Sequence, residues 1–338
     1  MDILNFTLQE LESYLDENGF KKFHARQIFE WVYKKDVSNF TQMSNLSSKL
    51  KEFLSKNMRL SSLVILSHQV SKDGTEKFLY KLEDGNTIET VLMRHEYGNS
   101  ICVTTQLGCN IGCSFCASGL QSKKRDLVAS EIVLQVLQTK KMTKERVSHV
   151  VVMGIGEPFD NYDNTMKFLH IINSPYGLEI GARHMTVSTS GLVEKIKQFS
   201  HEKLQVNLAI SLHASNNIDR TRLMKINNKH KIEDLINASK YYVKTTNRRI
   251  TYEYILLKGI NDSLTKANEL SDMLRGINCY VNLIRYNSVS EFDYKGSGER
   301  EANAFKNQLL KRGINATLRK EKGADIDAAC GQLRAETL

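Results

Sequence analysis

The chain has 338 residues, 41% hydrophobic and 25% charged, with 47 Lys and Arg against 38 Asp and Glu and a formal charge of +9. That is ordinary globular composition, long enough to bury a full core in one large domain or in a large and a small one. No apolar run approaches the ~18–20 residues of a membrane span, and six cysteines at this length are too sparse for a secreted disulfide framework.

The chain opens on "MDILNFTLQELESYLDENGF", an acidic amphipathic stretch without the basic and apolar regions of a secretory leader. A reducing, cytoplasmic setting is therefore expected. "TLQELESYLDENG", "HARQIFEWVYKK" and "NLSSKLKEFLSKN" space their apolar residues by three and four, which predicts a small helical domain over residues 1–60. "EKFLYKLEDGNTIETVLMRH" carries an Asp-Gly turn signal between strand-like runs, so residues 61–99 are expected to form a strand-rich extension.

From residue 100 the pattern changes to short apolar strands, each followed by an amphipathic segment. The strands are "SICVTTQ", "HVVVMGI", "HMTVSTS", "QVNLAISLH", "ITYEYILL" and "YVNLIRYN". Helical stretches such as "ASEIVLQVLQTKK" and "IEDLINASKYYVKT" lie between them. Six strand–helix units predict an α/β fold, an open, partial (β/α)6 barrel over 100–290, and residues 291–338 read as a C-terminal extension. Such folds place their sites at the C-terminal ends of the strands. There the sequence puts a cysteine triplet, "GIGEP", "STSG", "SLHA" and Asn287.

The triplet is "CNIGCSFC", Cys109, Cys113 and Cys116 in the spacing C-x3-C-x2-C. Clustered thiols in a reducing compartment point to ligands or catalysts. A zinc site usually brings two Cys/His pairs, and here no second C-x2-C follows, nor do His149 or His184 sit at finger spacing. Three thiolates can instead hold three irons of a [4Fe–4S] cluster and leave the fourth open to substrate. The triplet resembles the signature of the radical S-adenosylmethionine (SAM) enzymes. In those, the open iron chelates SAM and one electron cleaves it to a 5′-deoxyadenosyl radical.

Three cysteines lie outside the triplet. Cys279 reads as a small buried hydrophobe. Cys102 precedes the triplet on the first strand, and Cys330 sits in "GADIDAACGQLR", a small-residue stretch able to approach a buried site. With "FHARQIFEWVYKK", "IETV", "CVTTQLGCNIGCSFCASG", "MGIGEPFDN", "RHMTVSTSG", "AISLHASN", "INDS" and "VNLI", that stretch closely resembles the RlmN family of bacterial radical SAM RNA methyltransferases over essentially the whole chain.

The resemblance implies methylation of carbon-2 of an adenosine in the peptidyl-transferase region of 23S rRNA, and of the tRNA adenosine 3′ of the anticodon. It implies one [4Fe–4S] cluster on Cys109, Cys113 and Cys116, and two SAM per turnover. Cys330 would carry a methyl group and bond to the base. Cys102 would then attack the Cys330 sulfur and leave a disulfide, with Glu89 of "IETV" as proton acceptor. Gly156, Glu157, Ser188, Ser211, Leu212, His213 and Asn287 match the family's SAM contacts. The helical N-terminal part resembles an RNA-binding accessory domain, in which Lys21, Lys22, Arg26, Lys34 and Lys35 could touch phosphates. A monomer served by an electron donor such as flavodoxin or ferredoxin is expected.

Some residues depart from the pattern. Pro158 agrees with RlmN, whereas Arg285 in "LIRYN" looks like the related Cfr enzymes, which methylate carbon-8, and Lys225 replaces a usual proline. An RNA-binding iron–sulfur protein without methyl transfer is the alternative from another class, and it would need neither Cys102 nor Cys330.

Overall fold

The computed structural model describes residues 1–335. Helices α1 (Leu8–Glu17), α2 (Phe23–Phe29) and α3 (Ser48–Asn57) form the N-terminal unit. Thr7 and Glu10 close a capping box on α1, and Ser47 caps α3, so these two helices start where orphan N–H groups find a partner. Leu11, Leu15, Ile28, Phe29, Leu50 and Leu54 are buried in a core continuous with that of the barrel. Polar ties fasten the unit to it: Lys34 Nζ reaches Glu179 at 2.8 Å, and Lys167 pairs with Glu10 at 2.9 Å.

Strands β1 (Val64–Val70), β2 (Glu76–Lys81), β3 (Thr87–His95) and β4 (Gly98–Cys102) form an antiparallel meander. The Asp84–Gly85 turn joins β2 to β3, with Gly85 at φ 84°. At β4 the sheet changes character, because β4 pairs parallel with β7 (Val147–Val152). A short hairpin, β5 (Gln106–Leu107) with β6 (Arg125–Asp126), frames the cysteine loop between them.

From β7 every crossover is parallel, through β8 (Met185–Thr189), β9 (Asn207–Ser211), β10 (Ile250–Leu256) and β11 (Cys279–Arg285). The crossovers carry helices α4 (Ala129–Thr143), α5 (Tyr162–Asn173), α6 (Val193–Phe199), α7 (Asn217–Leu223), α8 (Ile232–Thr246) and α9 (Leu264–Leu274). The six strands expected from the sequence are all present. A seventh was not expected: α10 (Glu299–Lys311) leads into β12 (Ala316–Leu318), which pairs parallel with β11. Three residues are too few for period-two alternation to show in a sequence. The parallel sheet thus continues into the region read as a C-terminal extension.

Pleating alternates side chains between the two faces. The register places Glu253 beside Ser211 and Asn282, and Asn282 beside Thr317, so a band of polar groups runs across the strands. Cys279 is buried in the core, as expected. None of the described helices is long and apolar enough to cross a membrane.

Candidate active site

The cysteine loop is held from three sides. Cys109 N donates to Gln121 O at 2.9 Å, across the β5–β6 hairpin. Cys113 forms an antiparallel bridge with Met224, and Ser114 N donates to Leu223 O at 2.9 Å, tying the loop to the end of α7. Ala117 N donates to Gly331 O at 2.8 Å and Ser118 Oγ to Leu333 O at 2.8 Å, which fastens it to the C-terminal segment. Gly108 stands at φ 78°, where a Cβ would lie 2.4 Å from Ser122 O, so no other residue fits that turn.

Cys109, Cys113 and Cys116 line one chamber together with Gly156, Glu157, Ser188, Ser211, His213, Glu253, Arg319 and Cys330. It has about 900 Å³ of non-atom space with its mouth included. Burial pushes all three thiols up, Cys109 to about 12, and their mutual repulsion adds to this at Cys109 and Cys113. Such a site disfavours bare thiolates until a cation compensates them. Among the described residues no group of three or more His, Cys, Asp or Glu could hold a single metal ion. Three thiols lining one chamber are nonetheless the donor type that iron–sulfur clusters take.

The predicted SAM contacts mostly gather around that chamber. Gly156, at φ 107°, packs so closely that a Cβ would fall 2.6 Å from Gln106 Cβ. Glu157 is buried and accepts from Ser190 N at 2.7 Å and Phe159 N at 3.0 Å, so its carboxylate braces the loops after β7 and β8. Burial pushes its pKa up against those bonds. Ser188 and Ser211 face each other with hydroxyls 3.4 Å apart. His213 sits at φ 56°, its Nδ1 accepting from Ile255 N at 3.0 Å. Burial drives it down to about 3, so it is neutral with its proton on Nε2. Leu212 departs from expectation: it is fully buried in the core and its side chain lines neither chamber. An alternating strand end puts Ser211 and His213 inward and Leu212 out.

A second chamber adjoins the first and shares Cys116, Met153, Arg319 and Cys330 with it. It holds Cys102 and Asn287, so Cys102 and Cys330 face one cavity. Asn287 Nδ2 donates to Cys330 O at 3.3 Å. Burial and the neighbouring Cys330 push Cys102 up to about 12, against the pull of Arg319. The disulfide expected between Cys102 and Cys330 is not formed here, since all six cysteines are free thiols.

Glu89 lies outside both chambers, one diagonal step from Cys102, which pairs with Val91 across the strands. Its Oε2 accepts from Arg334 N at 2.8 Å and Ala335 N at 2.9 Å, and Lys77 Nζ stands 3.4 Å from Oε1. The end of the chain thus caps this carboxylate.

Sequence reasoning missed three charged residues. Glu253 lines the first chamber and accepts from Asn282 Nδ2 at 2.9 Å; its only signal is a carboxylate inside the apolar run "ITYEYILL". Arg319 points an N–H at the Cys330 sulfur at 3.3 Å. Arg220 of α7 is fully buried; its NH2 donates to Ser190 O at 2.6 Å and its NH1 to Asn227 Oδ1 at 3.2 Å, while Nε finds no partner. Burial pulls it down to about 10, still charged at neutral pH. The departures are accommodated: Arg285 pairs with Glu321 at 2.9 Å, and Lys225 packs beside Gly112 of the cysteine loop. Of the basic N-terminal residues, Lys34 is engaged by Glu179, Arg26 by Glu12, Lys22 by Asp16, and Lys35 by the Trp31 ring.

Residues 103–267 match the Radical SAM superfamily, and residues 1–60 match the ribosomal RNA large subunit methyltransferase N-terminal domain. The chain is 54% identical to the probable dual-specificity RNA methyltransferase RlmN of Acholeplasma laidlawii over the full length of both. It is 55% identical to that of Bacillus subtilis, over 99% of this chain and 93% of the relative. The crystal structure of a radical SAM methyltransferase from Sphaerobacter thermophilus superposes with a TM-score of 0.94 at 41% identity, covering 99% of this chain and 100% of that one. Streptococcus suis SuiB shares the fold alone, with a TM-score of 0.51 at 16% identity over 65% of this chain and 50% of its own. With relatives matched end to end and a cysteine triplet set at the mouth of a parallel barrel, the chain belongs to the RlmN family of radical SAM RNA methyltransferases.

Proposed function

We propose that the protein methylates carbon-2 of an adenosine in the peptidyl-transferase centre of 23S rRNA, and the adenosine 3′ of the anticodon in tRNA. The observation that carries this reading is the pairing of Cys102 and Cys330 in one cavity that opens on the three-thiol chamber. A binding protein needs no such pair.

Cys109, Cys113 and Cys116 would hold a [4Fe–4S] cluster. When bound, it supplies the electron that cleaves SAM to a carbon radical, from a donor of the flavodoxin or ferredoxin class. Gly156 lets the backbone approach SAM, and Ser188, Ser211 and the Nε2–H of His213 supply polar contacts that orient it. Glu157 acts by bracing the loops on which those contacts stand. Cys330 takes a methyl group from a first SAM, loses one hydrogen atom of it to the radical derived from a second, and forms the carbon–carbon bond to the base through the methylene that remains. Asn287 and Arg319 hold that cysteine from its carbonyl and its sulfur. Cys102 then displaces the product by attacking the Cys330 sulfur, leaving a disulfide for an external thiol to reduce. Glu89 accepts the proton lost from the base, once Arg334 and Ala335 have moved off its carboxylate. The helical unit over 1–60 docks the RNA.

Mass spectrometry of rRNA and tRNA from a strain deleted for the enzyme and complemented with this chain tests the reading. Restored 2-methyladenosine is expected in both. 8-Methyladenosine in its place, or no modification from a cluster-loaded protein, overturns it.

A further inference from the structure

A fully buried arginine is costly unless an anion compensates it, and the bonds made by Arg220 all end on neutral groups. Its guanidinium donates to the carbonyls of Ser190, Ser211 and His230 and to the amide oxygen of Asn227, with no carboxylate among them. Its Nε has no partner among the described residues. The chain path brings Arg220 close to the cysteine loop. One helical turn after Arg220, Leu223 O accepts from Ser114 N, and Met224 bridges Cys113. A cation without a counter-ion is therefore anchored on the strand of chain that grips the three-cysteine loop.

We propose that Arg220 is the built-in counter-charge of the iron–sulfur cluster and raises its reduction potential. The reading rests on Cys109, Cys113 and Cys116 being cluster ligands. Reduction adds one electron from an external low-potential donor, so the site becomes one charge more negative. A desolvated cation nearby favours that reduced form. Arg220 touches neither substrate nor the reacting atoms, so it is a positioning and tuning residue.

The test compares anaerobically reconstituted wild type with Arg220→Met, Arg220→Lys and Asn227→Asp, each assayed for iron and sulfide. Midpoint potentials are read by dithionite titration followed by electron paramagnetic resonance. Arg220→Met is expected to lower the reduced-to-oxidised ratio at a fixed potential at least tenfold, a shift of about 59 mV for a one-electron couple. Arg220→Lys should recover most of it. Asn227→Asp keeps Arg220 and its bond in place but sets a carboxylate against it, so it should lower the potential as well. Arg220→Lys separates charge from structure, because a purely structural role predicts that it shifts as far as Arg220→Met does. Wild-type potentials in iron-replete Arg220→Met, or in Asn227→Asp if the first fails to load, overturn the proposal. A wild-type chain that takes up no iron sinks the cluster reading itself, and this one with it.

Discussion

In the proposed reaction Cys102 attacks a sulfur, yet the fold keeps it a thiol. Its pKa rises from an ordinary 9.0 to about 12, burial being the main cause and Cys330 the next. Stability should record this. Below pH 9 the folded and unfolded chains both carry the proton, and the group contributes no pH dependence. Between pH 9 and about 12 the unfolded chain sheds the proton while the folded one keeps it, so stability falls as pH rises. From pH 8 to pH 10 that loss is ~1.4 kcal/mol for this one thiol. Urea unfolding of the cluster-free protein under reducing conditions, at both pH values, measures it beside Cys102→Ala. The cavity left by the substitution lowers both values alike. The variant should lose ~1.4 kcal/mol less than its parent across the interval. An equal loss in the two proteins would refute the argument that burial holds this proton. The same property suits the proposed chemistry, because a resolving thiol that stays protonated at neutral pH does not attack Cys330 early.

Each of Cys109→Ala, Cys113→Ala and Cys116→Ala should purify with little iron and sulfide, and a variant that keeps a full cluster removes its cysteine from the ligand set. Glu157→Ala strands the buried N–H groups of Ser190 and Phe159 and should cost about 2–5 kcal/mol in urea unfolding; a loss below 1 kcal/mol would show that water replaces the carboxylate. Cys330→Ala should form no covalent RNA species on denaturing gels with labelled RNA, whereas Cys102→Ala should be methylated at Cys330 and stall as one. Equal absence of adduct from both, in cluster-loaded proteins, contradicts the assigned order.

The cysteines and the barrel strands were legible for different reasons. Thiols are rare enough that three within eight residues announce a site without any structure. The strands show as apolar runs because both faces of a parallel sheet are covered. β12 escaped because three residues carry no period, and because Lys- and Glu-rich sequence flanks it. The buried charges were invisible for a deeper cause: a charged residue defaults to the surface, and only tertiary structure reveals that Arg220 and Glu253 lie inside. Glu89 was named from its motif, but no motif could tell that Arg334 and Ala335, more than two hundred residues away, close over it. Leu212 belongs to a matching stretch, yet its own side chain serves the core.

The residues that finish the site follow every parallel strand in chain order. Gly331 receives a hydrogen bond from the cysteine loop, Leu333 another, and Ala335 seals Glu89, all of them beyond β12. A nascent chain emerging from the ribosome can therefore complete every parallel strand and its cysteine loop while the chamber still lacks one wall. Iron and sulfide have that interval to enter before Cys330 arrives. A chain cut short after β12 would keep the cysteine loop and lose Cys330, together with the Gly331 and Leu333 carbonyls that tie that loop down.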